Sequence, residues 1–170
     1  DIERLEMENF MGVKQVQALD LGSFEDGVWY IQGRNGAGKS TVLEALTWCL
    51  FGQFLRSEMK ADFAINDQVG KNTRVAVKFS NGYAIERFRK HSALGGTGFV
   101  VKKDGQPLEG MDKGNREAAQ AGIDHLLGTN FAAYSKTVVL AEETARGFVQ
   151  ATPAARRQII EDLLGFGEFE

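Results

Sequence analysis

The residues of this chain with the plainest chemical purpose are Gly33-Arg34-Asn35-Gly36-Ala37-Gly38-Lys39-Ser40, which fit the pattern G-x-x-x-x-G-K-[ST]. Glycines at those places let the backbone wrap around phosphate oxygens and turn its N–H groups inward as an anion nest. A helix that opens at Lys39 adds the positive end of its dipole. Lys39 is then placed to reach the β- and γ-phosphates of a nucleoside triphosphate, and the Ser40 hydroxyl to ligate Mg²⁺. ATP and Mg²⁺ are the cofactors this spacing calls for.

Hydrolysis asks for more: an acidic strand end for the metal and a carboxylate to position water. Val138-Val-Leu-Ala-Glu142-Glu143 is an apolar run ending in acids, downstream of the loop, but its first acid is Glu rather than Asp. Those acids either serve the metal or merely end a strand. Ser92-Ala-Leu-Gly-Gly-Thr97 is similar to the L-S-G-G-Q signature of ABC-type ATPases. That signature works by presenting a helix N-terminus to a phosphate. Here no helical pattern follows, and the segment reads as a loop. No catalytic residue is assigned within the chain.

The elements around the loop follow from periodicity and turn chemistry. Strand-like stretches lie in 2–13 and 15–21. Val28-Trp-Tyr-Ile31 reads as a short buried strand leading into the loop, and Ser40 to Phe51 as a helix apolar on nearly every side. Trp29, Tyr30 and Trp48 are expected in the core, with Cys49 as a small buried hydrophobe. Residues 54–73 are polar and irregular. A β-meander is expected next, with strands at 74–79, 83–89 and 98–103 and hairpin turns at Asn81-Gly82 and Asp104-Gly105. Asn115 to Leu127 reads as a helix ended by Gly128, Thr137 to Leu140 as a strand, and Thr152-Pro153 as the start of a helix running to Leu164. Arg87, Arg89, Lys90 and His91 on one hairpin, with Lys102 and Lys103 on the next strand, either contact DNA phosphates or form the solvated face of a sheet.

The bulk numbers bound these readings. The 170 residues fit one domain with a hydrophobic core, and a net charge of −3 argues neither for nor against nucleic acid. One cysteine excludes an internal disulfide, and with two histidines it supplies no zinc cluster. No apolar run is long enough for a membrane span, so no membrane partner is expected. The lone cysteine fits a reducing, cytoplasmic setting. The chain starts without methionine and stops after a helical pattern, and reads as one piece of a longer protein.

Together, Gly-Arg-Asn-Gly-Ala-Gly-Lys-Ser-Thr with Val42-Leu-Glu-Ala-Leu-Thr-Trp-Cys-Leu-Phe-Gly52, the opening Leu5-Glu-Met-Glu-Asn-Phe10, and the run Thr137 to Gly165 closely resemble the SMC-like ATPases of DNA double-strand-break repair. These include the exonuclease subunit SbcC and its eukaryotic, archaeal and phage relatives. The resemblance implies an α/β P-loop NTPase of the ABC/SMC head type, here the N-terminal lobe (1–170) with an added antiparallel β-meander. Residues 152–170 would begin the helix leading toward a coiled coil. It places Asn35 near the γ-phosphate, Thr41 near the α-phosphate, and Glu142 where relatives carry the Q-loop glutamine that touches the metal.

It also implies partners: the C-terminal lobe of the same ATPase with the signature, Walker B and catalytic Glu, a second head in a homodimer, an Mre-type nuclease subunit, and DNA. Two other functions fit the loop. One is an SMC-like lobe of an anti-phage or chromosome-organising system. The other is a small stand-alone P-loop kinase, although the meander offers no arginine-bearing lid.

Overall fold

The computed structural model describes residues 1–112, 116–137, 152–154 and 157. Contacts divide the chain into two compact units, Asp1–Ile123 and Asp124–Glu170.

The first unit is built on a six-stranded sheet whose pairings are all antiparallel. Its strands are β1 (Ile2–Glu8), β2 (Val16–Asp20), β3 (Thr73–Phe79), β4 (Tyr83–His91), β5 (Gly96–Lys103) and β6 (Gln106–Asp112), in the order β2-β1-β3-β4-β5-β6. The meander forms with the expected turns. Gly82 at φ 82° follows Asn81, and Asp104 and Gly105 at φ 49° and 83° make the mirror-image turn that matches strand twist. Ser92 to Gly95 is the β4–β5 connection and Thr97 is already in β5, so no helix N-terminus stands there and the signature-like reading falls away. β6 carries Pro107 and a positive-φ Gly110, which only an edge strand tolerates well.

Helix α1 (Lys39–Phe51) lies on one face of the sheet. Its apolar surround buries Ala45, Trp48, Cys49, Leu50 and Phe51 against Leu5, Met7, Val75, Val77, Ile85, Phe99 and Val101. Phe10, fully buried, sets its ring 5.4 Å from Trp48 and 6.5 Å from Phe54. The Cys49 thiol points into the sheet, within 3.4 Å of Val75 O and 3.3 Å of Ile85 O. Burial pushes it up to about 12, so it is an inert hydrophobe and no nucleophile.

The opposite face, set by strand alternation, carries a charge ladder across four strands. Arg4 pairs with Glu6 at 2.8 Å, Glu6 with Arg74 at 3.1 Å, Arg74 with Glu86, and Glu86 with Lys102 at 2.7 Å. Burial pushes the Glu86 carboxyl up, but the bonds and charges of Lys102 and Arg74 outweigh it and hold the pKa below its ordinary 4.5. Glu6 is held low in the same way, its burial outweighed by Arg4 and Arg74. A carboxyl whose folded pKa lies below its unfolded one stabilises the fold above the unfolded value and loses that as pH falls. The melting temperature should therefore stay level near neutrality and fall once pH drops through about 4.5. Glu86→Gln should cost about 2 kcal/mol at pH 7 and flatten that acid slope, as read by thermal melts across pH.

Helix α2 (Arg116–Leu127) begins in the first unit, runs past the boundary and ends at Gly128, φ 66°. In the second unit, α3 (Phe131–Thr137) is capped by Asn130, whose Oδ1 accepts from Ala133 N at 3.0 Å. Thr137, expected to open a strand, instead closes this helix. Residues 138–140 lie outside the described residues, and so does most of the helix expected from Thr152, of which Pro153, Ala154 and Arg157 are helical. No described helix is long and apolar enough to cross a membrane.

Val28 to Ile31 does not form the expected buried strand. It runs without sheet pairing, with Val28 fully exposed, Trp29 59%, Tyr30 86% and Ile31 56% exposed. Trp48 is buried as expected, while Trp29 instead stacks on Phe24 at 4.7 Å and donates to Glu25 O at 2.9 Å. A strand buried on both faces needs neighbours on both sides. Among the described residues β2 is an edge strand paired only to β1, and no strand pairs with 28–31.

Candidate nucleotide-binding site

The loop Gly33 to Gly38 stands on the N-terminus of α1, exposed through Ala37 and half-buried at Gly38. Gly36 and Gly38 take φ values of 80° and 87°, in the left-handed region that favours glycine. Gly33 is a glycine for room: a Cβ there would lie 3.3 Å from the Ala37 Cβ. Ala37 N donates to Arg34 O at 3.1 Å, closing the turn that contains Asn35 and Gly36. Gly38 caps α1 with no side-chain acceptor, and no acidic residue occupies the first turn. The helix end therefore keeps its partial positive charge and its unsatisfied N–H groups for an outside anion.

Lys39 folds back over the loop, its Nζ donating to Gly33 O at 2.7 Å and Arg34 O at 2.9 Å. Its ammonium is thus already held at the rim of the nest, and an arriving phosphate exchanges with weak neutral acceptors. Ser40 and Thr41 occupy the first turn, Ser40 exposed and Thr41 half-buried, with Thr41 N bonded to Gly38 O at 3.0 Å. All nine expected residues, Gly33 to Thr41, come together in one loop and one helix start. Glu142, expected near the metal, lies outside the described residues, as do Val138 to Glu143 as a whole.

One residue the sequence did not flag supports the site from below. Glu44, on α1 and 2% exposed, accepts from Leu55 N at 2.9 Å and Arg56 Nε at 3.0 Å. It pins the segment after α1 back onto the helix that carries the loop. A lone acid within an otherwise apolar helix was the signal that could have found it.

The basic cluster meets partners within the fold. Arg87 donates to Cys49 O on the α1 face, and Arg89 pairs with Asp62 at 2.6 Å. Lys90 reaches the same Asp62 at 3.9 Å and His91 reaches Glu8 at 3.6 Å. Lys102 belongs to the ladder on the other face, while Lys103 bonds Asn81 O and stands over the Tyr83 ring at 4.6 Å. Each of these side chains has a polar or aromatic partner within the fold.

Comparison with known proteins agrees with this geometry. A family model described as an AAA domain matches residues 4–165. Exonuclease subunit 2 of Enterobacteria phage T4 is 31% identical over 169 residues, covering 98% of this chain and 29% of that protein. The DNA double-strand break repair Rad50 ATPase of Methanosarcina acetivorans is 29% identical over 180 residues, covering 99% of this chain and 16% of its own length. The chain thus spans less than a third of these relatives. A solved structure from a study of ATP-driven dimerization and DNA-stimulated activation of SMC ATPases superposes with a TM-score of 0.67. It covers 95% of this chain and 98% of its own at 19% identity, and so speaks for the fold. The architecture is that of the SMC ATPase head, with the P-loop and α1 set beside an antiparallel sheet. With its glycine loop, α1 and sheet matched from residue 4 to residue 165, the chain belongs to the AAA domain family and resembles the SMC-like double-strand-break repair ATPases along nearly its full length.

Proposed function

We propose that this chain is the ATP-binding lobe of a split ABC/SMC-type ATPase. In this reading it couples ATP-driven head dimerisation and hydrolysis to DNA end processing, with a nuclease partner, in double-strand-break repair or recombination. One observation carries the reading: the phosphate-gripping loop is complete, while the apolar segment feeding it, Val28 to Ile31, stands bare. Exposed apolar runs of this kind mark surfaces meant for cover. The C-terminal lobe of the same ATPase would supply the neighbouring strands and, with them, the Walker B acid, the signature and the catalytic Glu.

ATP would sit with its phosphates in the Gly33–Gly38 nest, bound by Lys39 and the first N–H groups of α1. Mg²⁺ supplies charge neutralisation at the phosphates, and Ser40 would hold it. The donor set fits a nucleotide-borne metal. Among the described residues no three of His, Cys, Asp and Glu gather into a metal site. Its other ligands would be phosphate and water oxygens, as is usual for Mg²⁺. Glu142 is proposed as a further ligand in place of the Q-loop glutamine. A second head in a homodimer would close over the nucleotide, so that binding favours the closed state and hydrolysis releases it.

The chain alone should bind Mg-ATP and show ATP turnover no higher than background. Adding the C-terminal lobe should raise turnover and shift the Trp29 emission to the blue as it is covered. Robust hydrolysis by the chain alone would sink the split-lobe reading, and phosphoryl transfer to an acceptor would favour a kinase.

A further inference from the structure

The C-terminal end of α1 is held by a junction that the phosphate chemistry does not require. α1 has no basic residue in its last turn, so the negative end of its dipole is met from outside. Arg87 on β4 donates Nε to Cys49 O at 3.0 Å and Nη2 to Leu50 O at 3.5 Å. Gln120 on α2 donates Nε2 to the same Leu50 O at 3.0 Å, and its Oε1 accepts from Arg87 Nη2 at 2.7 Å. The guanidinium is steadied over the Phe99 ring at 4.6 Å. Gly52 keeps the space clear: at φ 70° it ends the helix, and a Cβ there would lie 2.9 Å from Arg87 Nη1.

Leu50 O is therefore shared by a strand in the middle of the sheet and by a helix outside it. β4 is fixed by ladders on both sides, whereas α2 belongs to no ladder. A cavity of about 210 Å³ adjoins the junction, bordered by Trp48, Arg87, Phe99, Arg116 and Gln120. The other end of the same thirteen-residue helix is the nucleotide loop.

We propose that Arg87 and Gln120 are a relay: occupancy of the loop, felt through α1 and its Leu50 carbonyl, is passed to α2. The inference rests on nucleotide binding at the loop as proposed above. Hydrogen bonds in series polarise one another, so an anion taken up at the N-terminus makes the carbonyls further along the helix better acceptors. Among the described donors at Leu50 O, Arg87 sits on a strand held by ladders on both sides and Gln120 on a helix outside the sheet. With nucleotide bound, the Leu50–Gln120–Arg87 triangle tightens and α2 is held. Both residues are positioning residues and touch no substrate.

Hydrogen exchange of the chain with and without saturating Mg-ATP tests this. The nucleotide should slow exchange in 33–45 and, by about threefold, in 117–123. Gln120→Ala should keep the first response and lose the second. Arg87→Lys, which keeps the charge but cannot span Cys49 O and Gln120 together, should do the same. A merely structural Gln120 would loosen α2 equally in both states and leave the nucleotide response intact, and that result overturns the relay. Protection at the loop without any response in α2 of the unmodified chain overturns it too, while nucleotide binding stands. No protection anywhere would remove the nucleotide-binding reading and the relay with it.

Discussion

Lys39→Met should abolish nucleotide binding while leaving the fold intact. The Lys39 ammonium is held over the loop, where it gives two hydrogen bonds to Gly33 O and Arg34 O that a phosphate would take over. Losing two charge-assisted bonds to a triphosphate removes roughly 3–6 kcal/mol, and 1.4 kcal/mol is a factor of ten. Mg-ATP affinity, measured by calorimetry, should therefore drop by at least about a hundredfold. The bonds Lys39 makes without ligand are exposed and local, so stability should change by no more than about 0.5 kcal/mol. An unchanged affinity would mean that the loop is not a phosphate site. A collapsed melting temperature would mean that Lys39 is structural.

Phe10→Ala should do the reverse. Phe10 is fully buried between Trp48 of α1 and Phe54, just past β1, and its backbone bridges to Ile65. Truncation leaves a cavity beneath the helix that carries the loop, with a cost of about 3–5 kcal/mol. Domains of ordinary stability hold only about 5–15 kcal/mol in total, so the urea midpoint should fall sharply. Below the unfolding transition, the surviving folded molecules should still bind Mg-ATP, since Phe10 packs on Trp48, toward the end of α1 away from the loop, and on Phe54. A variant with near-normal stability would show that the aromatic cluster is not the core it looks to be.

Much of this was legible in the sequence because the signals were local. The Asn81-Gly82 and Asp104-Gly105 turns need positive φ and announce themselves, and α1 is an unbroken apolar helix starting at the lysine of its motif. β6 was not legible, because Pro107, Gly110 and two acids hide a strand that exists only by lying along the edge of β5. α3 was missed because seven residues give too short a period to read, although Asn130 was an available cap. Val28 to Ile31 misled for the opposite reason. Its composition states what the segment would bury, and no pattern within one segment can state whether a neighbour is present to bury it. The loop residues could be named from sequence because their expected chemistry rests on backbone freedom and charge, which are local. The basic cluster was ambiguous because only the fold shows that Arg89 meets Asp62 and Lys102 meets Glu86.

The strand order has a consequence for how the molecule comes to be. β3 to β6 are joined by three short turns, and such hairpins close in microseconds. β1 instead pairs with β3 across everything from Asn9 to Asn72, a stretch that holds the glycine loop, α1 and the aromatic cluster. Closing that long excursion carries the larger entropy cost and delays its reward until late. On these grounds the meander is expected to form early and the pairing of the chain's first strand with its third to come later.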